Sequence, residues 1–357
     1  MSVDVLFIIN GLGLGNSTRC HAIIQKLKSL GATVGLVTSG NGLWYFKDQD
    51  IVDSIDEINS LYYKKKGSQI SIAGTLSSIP DFIRIWRCNA KRIGKILDRL
   101  TPKVVVTDSE YTFWPIKARK IPMAALNNAD VVVDSYWRYD TPRDIAAQFF
   151  AVETPDYFFH KTVLDTVLSP SLDPGVPTRH KKIFRVGPIV REGYVPAPYN
   201  PQVKRVVVML SGSQFRSPVS FHKRDYPFTI DVIGRDKPED DPVINNVTYH
   251  GQLLDNYDAL KGADLIVVNG GFSAISEAFF MRIPMIVLPI GRHAEQWMNG
   301  RVIESLGVGK LSTLEHMESA LFQAVDEIEE YRAAYGKLKK IPDGAMESAC
   351  KIMDMTK

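Results

Sequence analysis

Only three cysteines occur among the 357 residues, Cys20, Cys88 and Cys350. They are far apart, odd in number and without metal-ligand spacing. Neither a disulfide framework nor a zinc site is therefore expected, and a reducing, cytoplasmic compartment is. No apolar run approaches the roughly 18 residues of a membrane span. The opening Val3-Asp4-Val5-Leu6-Phe7-Ile8-Ile9 is too short and too acidic for a signal peptide and reads as a buried strand. A net charge of +3 is too small to argue for nucleic acid. The charge is uneven: residues 1–188 hold 24 Lys and Arg against 18 Asp and Glu, the remainder 19 against 22. The basic half suits an anionic surface or substrate, or is ordinary surface variation. There is no short-period repeat and no low-complexity segment.

What is present is alternation. Strands are predicted at 3–10, 33–38, 104–107 and 123–126, with helices at 18–30 and 81–100. A proline-rich stretch follows, residues 189–203 serving as linker, and the alternation restarts. Strands are predicted at 205–210, 229–233, 246–249, 265–268 and 285–288. Strand–helix alternation implies doubly wound parallel sheets. The expected division is 1–188 and 204–357, with the last helix a candidate to pack back on the first domain. Open α/β sheets bind ligands at the carboxyl ends of their strands, so a cleft between two such sheets is the expected site.

The most informative stretch is Val267-Val268-Asn269-Gly270-Gly271-Phe272-Ser273-Ala274-Ile275-Ser276-Glu277. A buried strand stops at Asn-Gly-Gly and a helix begins, with Ser273 at its cap or in its first turn. Such a joint gathers backbone N–H groups and the positive helix end at one spot, which suits a phosphate. Glu277 lies one turn on, on the face of Ser273. A carboxylate repels phosphate, so it more naturally accepts from sugar hydroxyls.

The segment Gly270–Ala278, then Ile283-Pro284-Met285-Ile286-Val287-Leu288-Pro289, then His293-Ala294-Glu295-Gln296-Trp297-Met298-Asn299, resembles the donor signature of the GT-B glycosyltransferases. The likeness is to the lipid II N-acetylglucosaminyltransferase and the UDP-glycosyltransferases. It implies two Rossmann-like domains and hexosyl transfer from a nucleotide-diphosphate sugar, a UDP-sugar, with inversion. It further implies no metal and no cofactor beyond that co-substrate. The lone Asp-x-Asp, Asp48-Gln49-Asp50, is far from the donor motif.

Carried over position by position, Gly270, Gly271 and Phe272 would meet the diphosphate, with Ser273 adding a hydroxyl. Glu277 would hold the ribose. Glu295, Gln296 and Asn299 would grip the transferred sugar, and His293 would reach the donor or cap the helix. Gly212, Ser213 and Gln214, in Ser211-Gly212-Ser213-Gln214, resemble the loop closing over the phosphates. The stretch from His250 to Leu253 resembles the segment that packs on the base.

The run from Asn10 to Arg19, with Gly13, Gly15 and Asn16, resembles the family's first glycine loop. Many members place a histidine at the position of Asn16, in some of them the catalytic base. Asparagine cannot take up a proton at neutral pH, and His21 reads as a helix histidine. The candidates for the base are then Asp108 and Glu110, where the strand 104–107 ends, with Asp108 preferred. Asp108 as a helix cap is the competing reading.

Two more readings stay open, an inactive nucleotide-sugar-binding homologue and a UDP-sugar epimerase. The epimerases, however, usually continue the Gly-Gly helix with arginines and acidic residues absent here. The acceptor would be a small molecule, a glycan or a lipid-linked saccharide. The basic amphipathic stretch 82–100, with Tyr62-Tyr63-Lys64-Lys65-Lys66 upstream, is a candidate for an anionic membrane surface at the inner face, or a crossover helix with a solvated basic side.

Overall fold

The computed structural model describes every residue except 1, 12, 61–64, 67–68, 71–78, 174–177, 179, 211–218, 240–243, 252, 254–255 and 339; side chains are also undescribed at 65–66, 69–70 and 79–82. The chain divides into two compact units. The first comprises residues 1–131, 155–192 and 342–357, and the second 132–154 and 193–341.

The first unit is built on a seven-stranded sheet in the order β3-β2-β1-β6-β7-β8-β9. Its strands are β1 (Val5–Ile9), β2 (Val34–Thr38), β3 (Ser54–Glu57), β6 (Val104–Asp108), β7 (Met123–Leu126), β8 (Thr166–Pro170) and β9 (Ile183–Val186). All pairings are parallel. A separate two-residue hairpin pairs β4 (Lys65–Lys66) with β5 (Gln69–Ile70).

Both faces of the sheet are buried, which is why its strands read as continuous apolar runs. On β1, Val5, Phe7 and Ile9 enter one core while Leu6 and Ile8 enter the other. The first core is closed by α1 (Leu14–Ser29) and by the C-terminal helix Gly344–Met355, which supplies Ala345, Ala349 and Ile352. The second is closed by helix Ile79–Leu100 through Ile93, Ile96, Leu97 and Leu100. That helix thus packs as a crossover helix, with Arg84, Arg87, Lys91, Arg92 and Lys95 exposed. No helix among the described residues is long and apolar enough to cross a membrane.

The second unit holds a six-stranded parallel sheet in the order β12-β11-β10-β13-β14-β15. Its strands are β10 (Arg205–Met209), β11 (Thr229–Ile233), β12 (Val247–Tyr249), β13 (Leu265–Val268), β14 (Met285–Val287) and β15 (Gly309–Leu311). This is the 3-2-1-4-5-6 Rossmann order, and the first sheet repeats it with one strand added. In each sheet the order reverses beside the first strand, between β1 and β6 and between β10 and β13. The glycine stretch after β1, Asp108 on β6 and the Gly-Gly joint after β13 all fall at these switch points.

Residues 132–154 group with the second unit rather than with the residues on either side of them. Val132, Ile145 and Phe149 make a small core with Ala294 and Met298 of helix Ala294–Ser305, and Tyr136 stacks on Phe149 at 3.7 Å. The predicted strands appear within a residue or two of their expected bounds. The helix predicted at 18–30 starts a turn earlier, at Leu14, which places Gly15 and Asn16 in its first turn.

The returning C-terminal helix sits against backbone. A Cβ on Gly344 would lie 2.0 Å from the Gly187 carbonyl oxygen, and Glu347 accepts from the Gly187 N–H at 2.8 Å. Gly344→Ala is expected to lower stability by about 1–3 kcal/mol, because main chain must move to admit one methyl group. Urea unfolding checks this, and an unchanged midpoint would contradict the close approach.

Candidate functional site

At the switch point of the second unit, β13 ends and Gly270 turns at φ 92. Only glycine adopts that conformation readily. Space also requires it, since a Cβ would lie 2.8 Å from the Gln296 carbonyl oxygen and 3.0 Å from Val287. Helix Phe272–Phe280 then begins, with Gly271 as an N-cap that has no side chain. The N–H groups of Phe272 and Ala274 have no acceptor among the described residues. Ser273 is the second residue of the helix, and Glu277, four residues on, is buried.

Helix Ala294–Ser305 fixes the other side of the joint. Asn299, buried, donates from Nδ2 to the Gly270 carbonyl at 2.9 Å. Gln296 accepts from the Ile290 N–H through Oε1 at 2.9 Å. His293 is the N-cap, its Nδ1 accepting from the Gln296 N–H at 3.5 Å. The imidazole is therefore neutral with its proton on Nε2. Its pKa is lowered by burial, an effect Glu295 partly offsets. The first N–H of this helix, on Ala294, donates to Gln148 Oε1 at 3.0 Å. The two helix starts thus differ: the second is capped by protein side chains, and the first carries N–H groups without an acceptor among the described residues. Gly212, Ser213, Gln214 and Gln252 lie outside the described residues.

At the switch point of the first unit, Gly13 is the N-cap of α1. Asn16 donates from Nδ2 to the Asn10 carbonyl at 3.4 Å, and Asn10 Nδ2 donates to the Ser109 carbonyl at 3.1 Å. Ser109 lies at φ 54, an uncommon conformation for a residue with a side chain. The ends of β1 and β6 are thereby tied together.

Asp108 is fully buried, and both carboxylate oxygens are taken by Arg19, Nε donating to Oδ2 at 2.6 Å and Nη2 to Oδ1. Cys20 donates its thiol to Oδ2 at 3.4 Å; burial and then the Asp108 charge push that thiol's pKa well up, so it stays protonated. Glu110 is also buried, with no cation among its partners in the described residues. It accepts from the Thr112 N–H at 3.1 Å and from the Thr112 hydroxyl, both at Oε1. Burial raises its pKa, and the Thr112 bonds only partly offset that. His21 is buried with Nδ1 2.9 Å from the Tyr45 hydroxyl, a satisfied helix histidine.

Arg19 carried no weight in the sequence reading. The signal was an arginine one turn into a helix whose partner lay 89 residues away, at a strand end.

These motifs and this double Rossmann layout are those of a sugar-transferring class. The chain belongs to glycosyl transferase family 1, whose model matches residues 3–326. An uncharacterized glycosyltransferase of Methanosarcina acetivorans is 24% identical over 371 residues, covering 95% of this chain and 93% of that one. An uncharacterized UDP-glucosyltransferase YojK of Bacillus subtilis is 30% identical over 105 residues, 28% of this chain and 25% of that one. Among solved structures, the glycosyltransferase SnogD from Streptomyces nogalater superposes with a TM-score of 0.65 at 17% identity, each chain covered completely. MurG of Acinetobacter baumannii superposes with a TM-score of 0.61 at 15% identity, covering 99% of both chains. The fold is thus GT-B.

The buried pair makes a stability prediction. Arg19→Met leaves Asp108 buried without a partner and is expected to cost about 3–5 kcal/mol. Arg19→Met with Asp108→Leu, which removes both charges, is expected to recover most of that loss. Urea unfolding of both variants checks it, and a single variant as stable as the parent would contradict the pair's place in the core.

Proposed function

We propose that this protein transfers a sugar from a nucleotide-diphosphate donor, a UDP-sugar, to an acceptor hydroxyl, with inversion and without a bound metal. The observation that carries this reading is the Gly270–Gly271–Phe272 joint, which presents helix-start N–H groups at a sheet's switch point. Those N–H groups and the helix dipole would meet the diphosphate. Ser273 would add a hydroxyl and Glu277 would hold the ribose. Asn299 and Gln296 contribute by fixing the backbone around the joint, and Glu295 would meet the transferred sugar. His293 offers its Nε2 proton to the donor. The Bacillus subtilis relative, named as a UDP-glucosyltransferase, supports the choice of nucleotide.

Inverting transfer needs a base for the acceptor proton. The acceptor oxygen bonds to the anomeric carbon, the bond from that carbon to phosphate oxygen breaks, and the nucleoside diphosphate leaves with the electron pair. Asp108 is preferred by sequence, but its two oxygens are committed to Arg19. Glu110 carries no such commitment, and its raised pKa makes it the stronger base once ionised. We therefore assign the base to Glu110 and a positioning role to Asp108. Asn16, which cannot accept a proton, favours one other reading, a nucleotide-sugar-binding protein without transfer activity.

Two measurements test the assignment. Glu277→Ala is expected to abolish UDP binding in calorimetry while circular dichroism stays unchanged; full UDP affinity would refute the donor site. Glu110→Gln is expected to lower kcat by about 10²–10⁴-fold. In the parent, Glu110 loses its ionised form as pH falls through its raised pKa. The acid limb of kcat/KM should therefore lie above the ordinary glutamate value of 4.5 and vanish in Glu110→Gln. An unshifted limb, or a variant as active as the parent, would place the base elsewhere. Sugar transfer that depends on Glu110 would also exclude the binding-only reading.

A further inference from the structure

One buried carboxyl group of the second unit plays no part in the proposed transfer chemistry. Glu153 lies in the segment 132–154. There residues Phe149–Glu153 wind as a π-helix, the Thr154 N–H donating to the Phe149 carbonyl five residues back. Single π-turns inside α-helices are rare and often mark functional sites. This one has a geometric consequence. In an α-helix, residues five apart point about 140° away from each other. A π-turn, whose bonds span five residues, brings such residues onto one face. Gln148 and Glu153 are five apart, and they meet: Gln148 Nε2 donates to Glu153 Oε1 at 2.7 Å.

The other end of the Gln148 amide is also engaged. Its Oε1 accepts from the Ala294 N–H at 3.0 Å, the first N–H of helix Ala294–Ser305. An amide has one donating end and one accepting end, and a carboxylate only accepts. Glu153 therefore dictates which way Gln148 points, Nε2 to the carboxylate and Oε1 to the helix start. Turned round, the amide would set donor against donor at Ala294 and acceptor against acceptor at Glu153. The same segment meets the helix at other points. Phe149, where the π-turn begins, packs with Ala294 and Met298. At the far end, the Tyr139 hydroxyl lies 3.0 Å from that of Ser305.

We infer that Glu153 is a positioning residue for the transferred sugar: through Gln148 it fixes the first turn of helix 294–305, and with that turn Glu295. This inference rests on the donor-site reading, in which Glu295 meets the sugar. Glu295 directly follows Ala294, so a shift of the helix start moves it. Asn299 lies a turn further on and keeps its own bond to the Gly270 carbonyl. The relay therefore acts on the sugar end of the donor and leaves the diphosphate end to the Gly270–Phe272 joint. Its sequence signal is faint, because a spacing of five between Gln148 and Glu153 has no meaning until the π-turn is present.

Calorimetry on the full chain with UDP, UDP-glucose, UDP-galactose and UDP-N-acetylglucosamine tests this. Glu153→Leu leaves the Gln148 amide undirected, and Gln148→Glu sets two carboxylates against each other. For the UDP-sugar that the parent binds most tightly, each variant is expected to lose about tenfold in affinity relative to UDP. UDP affinity itself should hold; a folding defect would weaken both ligands alike. The double variant, Gln148→Glu with Glu153→Gln, exchanges the roles: the carboxylate accepts from the Ala294 N–H and the amide donates to it. It should recover most of the loss. Hydrogen exchange of the 294–297 amides without ligand should quicken in Glu153→Leu and return towards the parent rate in the double variant. An unchanged sugar-to-UDP ratio in both single variants, or a double variant no better than Gln148→Glu, would overturn the inference. So would a parent that binds UDP but none of the three UDP-sugars. A parent that binds no UDP would sink the donor reading itself, whereas exchange indifferent to Glu153→Leu would sink the relay alone.

Discussion

The hydrogen bond from Asn299 to the Gly270 carbonyl is the constraint on which the Gly-Gly joint of the second unit depends. Gly270 occupies a left-handed turn with no room for a Cβ, so its conformation is set by sterics on one side and by this bond on the other. The bond joins the end of β13 to the helix at 294–305. That helix is anchored in turn by Gln148 at its first N–H and by the His293 cap. The segment 132–154, remote in sequence from the joint, therefore belongs to the same mechanical unit. A helix start held this way keeps its N–H groups aimed without reorganisation, the condition under which fixed dipoles are most effective toward phosphate.

The first unit solves a different problem. Three carboxyl groups stand near one sheet edge, and the chain treats each differently. Asp108 is neutralised by Arg19 in the core, Asp156 is saturated by Tyr111, Asn127 and His160, and Glu110 is buried with only neutral donors among the described residues. Environments that separate otherwise similar acids are how a fold assigns them different work. On the proposed assignment, asparagine at position 16 leaves Glu110 to take the acceptor proton at this edge.

Much of this was legible in the sequence. The apolar runs at 5–9, 104–106 and 265–268 mark themselves as strands because both sheet faces are covered. The Gly-Gly pair marked the end of a strand and the start of a helix, and Gly270 takes the left-handed φ of 92 that glycine suits. Other strands were not legible: Ser54–Glu57 is mostly polar, Thr166–Pro170 ends on proline, and Gly309–Leu311 has three residues. The preference for Asp108 over Glu110 rested on position along a strand, which says nothing of an arginine arriving from α1. Spacing marks Asn299 as a candidate sugar ligand but gives no sign that its amide also ties the backbone of the joint. Pairings across 29 or 89 residues are set by packing, and sequence spacing carries no trace of them.

The central claim is that the Gly270–Phe272 joint binds the diphosphate and that Asn299 keeps it in shape. Calorimetry of UDP against uridine tests this most directly, in the parent and in Asn299→Ala. The account predicts that the parent binds UDP at least about tenfold more tightly than uridine, and that Asn299→Ala loses this advantage while its uridine affinity holds. Equal affinity for UDP and uridine in the parent would contradict it.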